Sequence, residues 1–217
     1  MIIAMEWGSW IGFLGASVAI TLMPGPDILF VISQSIARSR RMGAAVAFGL
    51  CTGLLAHITA AALGVSAVVY GIPYAFQAVK VMGALYLFYL AWLSWKSIRS
   101  QQGSETKPKQ EEGDVSSTAF LQLYRRGILM NILNPKVSLF FLAFLPQFVA
   151  EDKGSVAWQM LGLGGVFLLQ ALVIFNIMAL LANRIGRKFL QGEGARRWTG
   201  WFQALLYGAL GLQLLFV

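Results

Sequence analysis

Histidine and cysteine are almost absent: His57 and Cys51 are the single representatives in 217 residues. One thiol allows no intramolecular disulfide and leaves the redox compartment undetermined. One His with one Cys cannot furnish the usual ligand set of a zinc site, and neither a Gly-x-x-x-x-Gly-Lys-Ser/Thr phosphate loop nor a His-Glu-x-x-His pair occurs. An ATP-driven pump is therefore excluded for this chain alone, and no metal or other cofactor is implied. Charge is also scarce, at 12% of residues. The first nine residues contain Glu6 and no Lys or Arg, so the basic region of a cleavable signal peptide is missing and the first apolar span is expected to remain.

What the chain has is apolar surface: 58% hydrophobic residues and a mean hydropathy of +0.68, the composition of an integral membrane protein. Stretches long enough to cross a bilayer run from Trp10 to Ser33, Gly43 to Tyr70, Pro73 to Trp95, Gly127 to Ala150, Val156 to Ala182 and Thr199 to Val217. The expected fold class is thus all-α, with six transmembrane helices. The net charge of +8 is confined to the connections between spans, which argues for membrane orientation and against nucleic acid. Arg38, Arg40 and Arg41 follow the first span, Lys96 to Arg126 separate the third from the fourth, and Arg184 to Arg197 the fifth from the sixth. By the positive-inside rule these three loops are cytoplasmic and both termini lie outside. All seven tryptophans fall near span ends, as expected of headgroup-level anchors.

One long polar stretch, 96–124, is too hydrophilic to bury and reads as a cytoplasmic linker. It divides the chain into a three-helix repeat over 1–95 and a second over 125–217. An odd number of spans per half inverts the second half relative to the first, the arrangement of inverted-repeat carriers. Prolines break the first and fourth spans at corresponding places, Met23-Pro24-Gly25-Pro26-Asp27 and Leu133-Asn134-Pro135-Lys136. Each proline removes an N–H and disfavours helix in the residue before it. In hydrocarbon such breaks persist where they line a protein-enclosed cavity, and matched breaks in two halves point to a transport site.

The candidate substrate-binding residues are therefore Pro24, Gly25, Pro26, Asp27, Asn131, Asn134, Pro135 and Lys136. A half-helix starting after the first break would favour a carboxylate, while carbonyls freed at Ile20, Leu22 and Asn131 suit an ammonium. An amino-acid zwitterion presents both. Ionisable side chains inside spans are costly and face the bundle interior; here they are Asp27, Lys80 and Lys136. Counting about 1.5 Å per residue puts Asp27 and Lys136 at nearly the same depth, so that they can pair. Whether such a pair opens during transport or only pins the two halves stays open at this point. Lys80 and His57 are further candidates for coupling or gating, against snorkelling for Lys80 and a bond to a neighbouring helix for His57. Gln170 and Asn176 read as interhelical glue, and Gly49-x-x-x-Gly53 and Gly8-x-x-x-Gly12 as close-packing seams within the monomer. Pro146 reads as a simple kink.

At these residues the chain resembles the LysE/RhtB family of bacterial amino-acid exporters. The matching pieces are Pro24-Gly25-Pro26-Asp27, Arg40-Arg41-Met42-Gly43, Gly49-Leu50-Cys51-Thr52-Gly53, Lys80 with Gly83-Ala84-Leu85-Tyr86-Leu87, Gly127 to Asn131 with Asn134-Pro135-Lys136, and Leu145-Pro146-Gln147-Phe148. The resemblance implies export of amino acids or close analogues across the bacterial cytoplasmic membrane, coupled to the proton motive force, by a six-helix homodimer. Members commonly have Asn where Asp27 stands here. Two alternatives remain: an inorganic-cation exporter, which the single intramembrane acid disfavours because hard divalent ions want six or more oxygens, and a non-transporting membrane scaffold, for which matched breaks have no purpose. An intramembrane enzyme would need a nucleophile and base that are not evident.

Overall fold

The computed structural model describes residues 7–71, 73–99, 117–150, 154–190, 207–212 and the single positions Trp201, Ala204, Leu205 and Leu215; within these, side chains at 7, 65–71, 73–76, 78–80, 97–99 and 183–190 are not described. Among the described residues every regular element is helical. In order they are α1 (Trp7–Leu22), α2 (Pro26–Ala37), α3 (Arg40–Gly71), α4 (Pro73–Arg99), α5 (Ser117–Ile132), α6 (Pro135–Leu139) and α7 (Val156–Leu190). A π-helical turn, Phe140–Phe144, and a 3₁₀ turn, Leu145–Phe148, continue α6.

Two helices contain stretches long and apolar enough to cross a membrane, Arg40–Gly64 and Val156–Ala182. The count rises to four if each bent pair, α1 with α2 and α5 with α6 and its continuation, is one span. α5 begins at Ser117, inside the polar stretch 96–124, so its first two turns carry Gln122 and Tyr124 ahead of the apolar run.

α7 shows what an apolar solvent does to a helix. Its buried residues Val156, Met160, Leu163, Phe167, Ala171, Phe175, Ala179 and Ala182 recur every three or four positions, which is one helical face. The opposite face is apolar as well, with Leu169, Val173, Ile177 and Leu180 exposed; a helix hydrophobic all round is a membrane helix. α3 lies at the centre, packed on α2, α5 and α7, with Met42, Val46, Leu50, Leu54 and Ile58 buried along it.

Lipid gives no hydrophobic drive between helices, so close van der Waals packing must hold them. Glycines supply it between α3 and α5. A Cβ on Gly127 would stand 2.6 Å from the Val46 carbonyl, one on Gly53 2.7 Å from the Asn131 Cβ, and one on Gly49 would collide with the Tyr124 carbonyl. The Gly49 and Gly53 seam is thus internal. Among the described residues Gly8 has nothing within 4 Å and Gly12 only Phe148 at 3.7 Å, so the other Gly-x-x-x-Gly pair forms no tight seam there.

Candidate functional site

The two breaks are built alike. α1 stops at Leu22 and α2 starts at Pro26, bent by 53°; α5 stops at Ile132 and α6 starts at Pro135, bent by 48°. In each, an extended residue precedes the proline at the helix start: Gly25 (φ −133°, ψ 179°) and Asn134 (φ −81°, ψ 106°). The residue after each proline is charged, Asp27 in one and Lys136 in the other. These equivalent positions meet: Lys136 Nζ lies 2.9 Å from Asp27 Oδ2, the side chains being 6% and 3% exposed.

Proline chemistry explains the rest of the ammonium's surroundings. Pro24 cannot donate to the Ile20 carbonyl, and Lys136 Nζ donates to that oxygen at 3.2 Å. The electrostatics are asymmetric. Asp27 sits in the first turn of α2, where the helix dipole favours an anion, whereas Lys136 sits at the start of α6, where the dipole opposes a cation. Asp27 and the Ile20 carbonyl hold the ammonium against that opposition.

The second break is satisfied from α3. Pro135 leaves the Asn131 carbonyl without its helical donor, and that oxygen accepts from Asn134 N at 2.9 Å and from His57 Nε2 at 3.0 Å. A carbonyl only accepts, so Nε2 carries the imidazole proton. Asn134 caps α6 with Oδ1 accepting from Lys136 N at 3.1 Å. One freed carbonyl on each side of the chain is thus held by a side chain from the other, Lys136 for Ile20 and His57 for Asn131.

Three buried polar atoms around the breaks have no hydrogen-bond partner among the described residues: Asp27 Oδ1, Asn131 Oδ1 and Asn134 Nδ2. Each such atom costs about 1–3 kcal/mol. Beside them is a cavity of about 10 Å³, lined by Asp27, Asn131, Lys136 and Thr21 and closed by Ile20, Leu54, Val137, Phe140, Phe167, Ala171 and Phe175. That is room for roughly one water, far less than an amino acid occupies. Gly25 is the floor of the ion pair, since a Cβ there would fall 2.6 Å from Asp27 Oδ1 and 3.2 Å from Lys136 Nζ.

Of the sequence-derived candidates, the structure brings Gly25, Asp27, Asn131, Asn134 and Lys136 together around the two prolines Pro26 and Pro135, with Pro24 as the source of the freed carbonyl. His57 joins at the second break. Lys80 falls on α4, and its side chain lies outside those described. Gln170 does bridge helices, donating from Nε2 to Thr21 Oγ1 at 2.9 Å. Asn176 does not: its Nδ2 donates to the Leu172 carbonyl of its own helix at 2.8 Å. Pro146 sits in the 3₁₀ turn directly after the π turn, so it ends an irregular stretch and is more than a kink.

An aromatic ladder escaped the sequence reading. Phe140 and Phe141 stand 4.9 and 5.1 Å from Phe167, and the column continues from Phe140 to Phe144, Phe148 and Phe13 at 5.2, 5.3 and 5.5 Å. The signal was present as phenylalanines at 140, 144 and 148, a four-residue spacing that stacks rings on one helical face. Among the described residues no group of three or more His, Cys, Asp or Glu side chains could hold a metal.

Several known proteins are similar to this chain over most of its length. An uncharacterized membrane protein of Pseudomonas aeruginosa is 34% identical over 96% of this chain and 90% of its own length. The homoserine/homoserine lactone efflux protein of Salmonella typhi is 30% identical, covering 83% of this chain and 82% of its own. The threonine efflux protein of Escherichia coli is 24% identical over 89% and 91% respectively. No solved structure matches the chain. Residues 18–216 match the family model described as LysE type translocator, and the chain belongs to that family of membrane translocators.

Proposed function

We propose that the protein is a secondary exporter of amino acids, with the Asp27–Lys136 pair as the centre of its transport site. The observation that carries this reading is the pair itself, an ion pair buried at the meeting of two broken helices with partnerless polar atoms around it. A purely structural buried pair gains little over an apolar contact. A site that must accept a zwitterion gains a great deal from one.

The substrate inserts into the pair. Its ammonium takes over Asp27 and the Ile20 carbonyl, the two groups that now hold Lys136, and its carboxylate takes the ammonium that Lys136 then offers. Asp27 already provides negative charge at the start of α2, which turns the anionic end of the substrate toward Lys136 and away from that helix terminus. The count of charges is balanced with and without substrate, so neither state buries a net charge. The cavity of about 10 Å³ is too small for an amino acid, so admitting one requires the half-helices to part.

The finer features belong to the same proposal. Six spans in a 3+3 inverted repeat, with the basic loops cytoplasmic and both termini outside, suit the basic connections and the likeness of the two breaks. The proton motive force drives export, because protonation of Asp27 on the acidic side releases the substrate ammonium. A homodimer in the bacterial cytoplasmic membrane completes the reading. The kinship with proteins named for homoserine and threonine efflux supports it.

Inside-out vesicles containing the protein, given an acidic lumen and a panel of labelled amino acids, test it. Uptake above empty vesicles that collapses with an uncoupler is expected. Absence of uptake for the whole panel by folded protein would overturn the reading.

A further inference from the structure

Phe140 and Phe167 form part of the wall of the cavity beside the ion pair, their ring centroids 4.9 Å apart. From Phe140 a file of rings leads away from it: Phe144 at 5.2 Å, Phe148 a further 5.3 Å on, Phe13 at 5.5 Å from that, and Trp10 at 6.3 Å from Phe13. Trp10 and Phe13 belong to the first two turns of α1, which starts at Trp7. The file therefore leads from the cavity toward the end of the bundle where α1 begins. Phe140 and Phe144 are buried, whereas Phe148 and Trp10 are half-buried.

Ring packing accounts for these contacts, but not for the backbone beneath them. Phe140 to Phe144 form a π turn, and Leu145 N donates five residues back, to the Phe140 carbonyl. Pro146 follows and has no N–H to give. The Leu142 carbonyl, four residues before it, is left without an α-helical donor, and the Phe141 carbonyl, five before it, without a π-helical one. Gln147 supports the next carbonyl, its Nε2 donating to Ala143 O at 3.0 Å, while its own buried Oε1 has no partner among the described residues. A stretch bonded in this way gives up stability, and π turns inside helices occur frequently at functional sites. What the turn supplies is a second register. Rewinding it to ordinary α-helix takes up one residue, roughly 100° of rotation and about 1.5 Å of rise, which carries Phe140 off Phe167 relative to Phe148.

We infer that this file of phenylalanines is the gate between the transport site and the membrane face at which α1 begins, with the π turn as its hinge. The inference rests on the transport-site reading above and adds the route of exit, since that face is the outer one in that reading. Phe141 ties the hinge to the second break. It packs on Phe167 at 5.1 Å and stacks on His57 at 6.1 Å, the side chain that holds the Asn131 carbonyl.

Access to the cavity tests the gate with no amino acid present. Thr21 lines the cavity and Cys51 is the single native cysteine, so Thr21→Cys with Cys51→Ser carries one thiol, beside the ion pair. A membrane-impermeant methanethiosulfonate is added to right-side-out and to inside-out vesicles. Adding Phe144→Ala should speed labelling by about 10-fold from the face where α1 begins, the change that lost ring contacts give, and leave the other face as it was. Phe144→Leu, which keeps the bulk and removes the ring, should act in the same direction and guards against a misfolded alanine variant. No rise in either variant, or an equal rise from both faces in folded protein, would overturn the gate. Gly12 and Phe148 are in contact, so a short bifunctional thiol reagent bridging Gly12→Cys to Phe148→Cys should stop counterflow until it is cleaved; full transport in completely bridged protein would also overturn it. If labelling behaves as expected but no amino acid of the panel is carried by the wild type, the gate stands and the substrate reading fails.

Discussion

Lysine is a poor choice for the start of a helix, and Lys136 stays there because Asp27 and the Ile20 carbonyl hold it at 2.9 and 3.2 Å. In the proposed transport site this is the cation that leaves its partners for a substrate carboxylate. Gly25 is what leaves room for this geometry. Its backbone is extended (φ −133°) and open to any residue, so its role is steric: a methyl group would fall 2.6 Å from Asp27 Oδ1. Gly25→Ala is expected to displace the carboxylate and cost about 1–3 kcal/mol of stability, the usual range for overpacking. Thermal unfolding in detergent reads this as a lowered Tm. An unchanged Tm together with unchanged transport would show that the pair does not need the floor described for it.

Helix breaks were the most legible elements in the chain, because proline acts through a covalent fact, the missing N–H. The ends of α1 and α5 and the starts of α2 and α6 fall where Pro24, Pro26 and Pro135 put them. The meeting of Asp27 with Lys136 was also readable from helical rise alone. The π turn over Phe140–Phe144 was not, since which carbonyl an N–H selects depends on packing against Phe167 and on Pro146 downstream. Nor was the identity of the residue that Gln170 bridges to, since Thr21 also bonds its own helix and lies 149 residues away in the chain. The two Gly-x-x-x-Gly pairs were indistinguishable in sequence and differ in the fold. Gly49→Ala and Gly127→Ala should each push α3 from α5 and destabilise by about 1–3 kcal/mol. Gly8→Ala, with nothing within 4 Å, should be neutral or slightly stabilising through helix propensity. Equal effects at all three positions would contradict the assignment of the tight seam to α3 and α5.

Across the molecule, each half supplies what the other lacks. Lys136 in the second half holds the carbonyl freed at Ile20, and His57 in the first half holds the one freed at Asn131. α3 packs on α2, α5 and α7, and its His57 holds the second break from that position. In the proposed transport site, substrate insertion at the ion pair replaces the contacts of Lys136 as the pair opens. The competing account is a static clamp. The two differ sharply when both charges are removed, because breaking one member of a buried pair strands the other, whereas replacing both is often tolerated. The deciding measurement is counterflow transport by Asp27→Asn, Lys136→Met and the double variant, each shown to be folded by its Tm. The transport-site account predicts that the double variant recovers the stability lost in either single one and still carries no substrate. Recovery of transport along with stability would contradict it, and would leave the pair as a clamp.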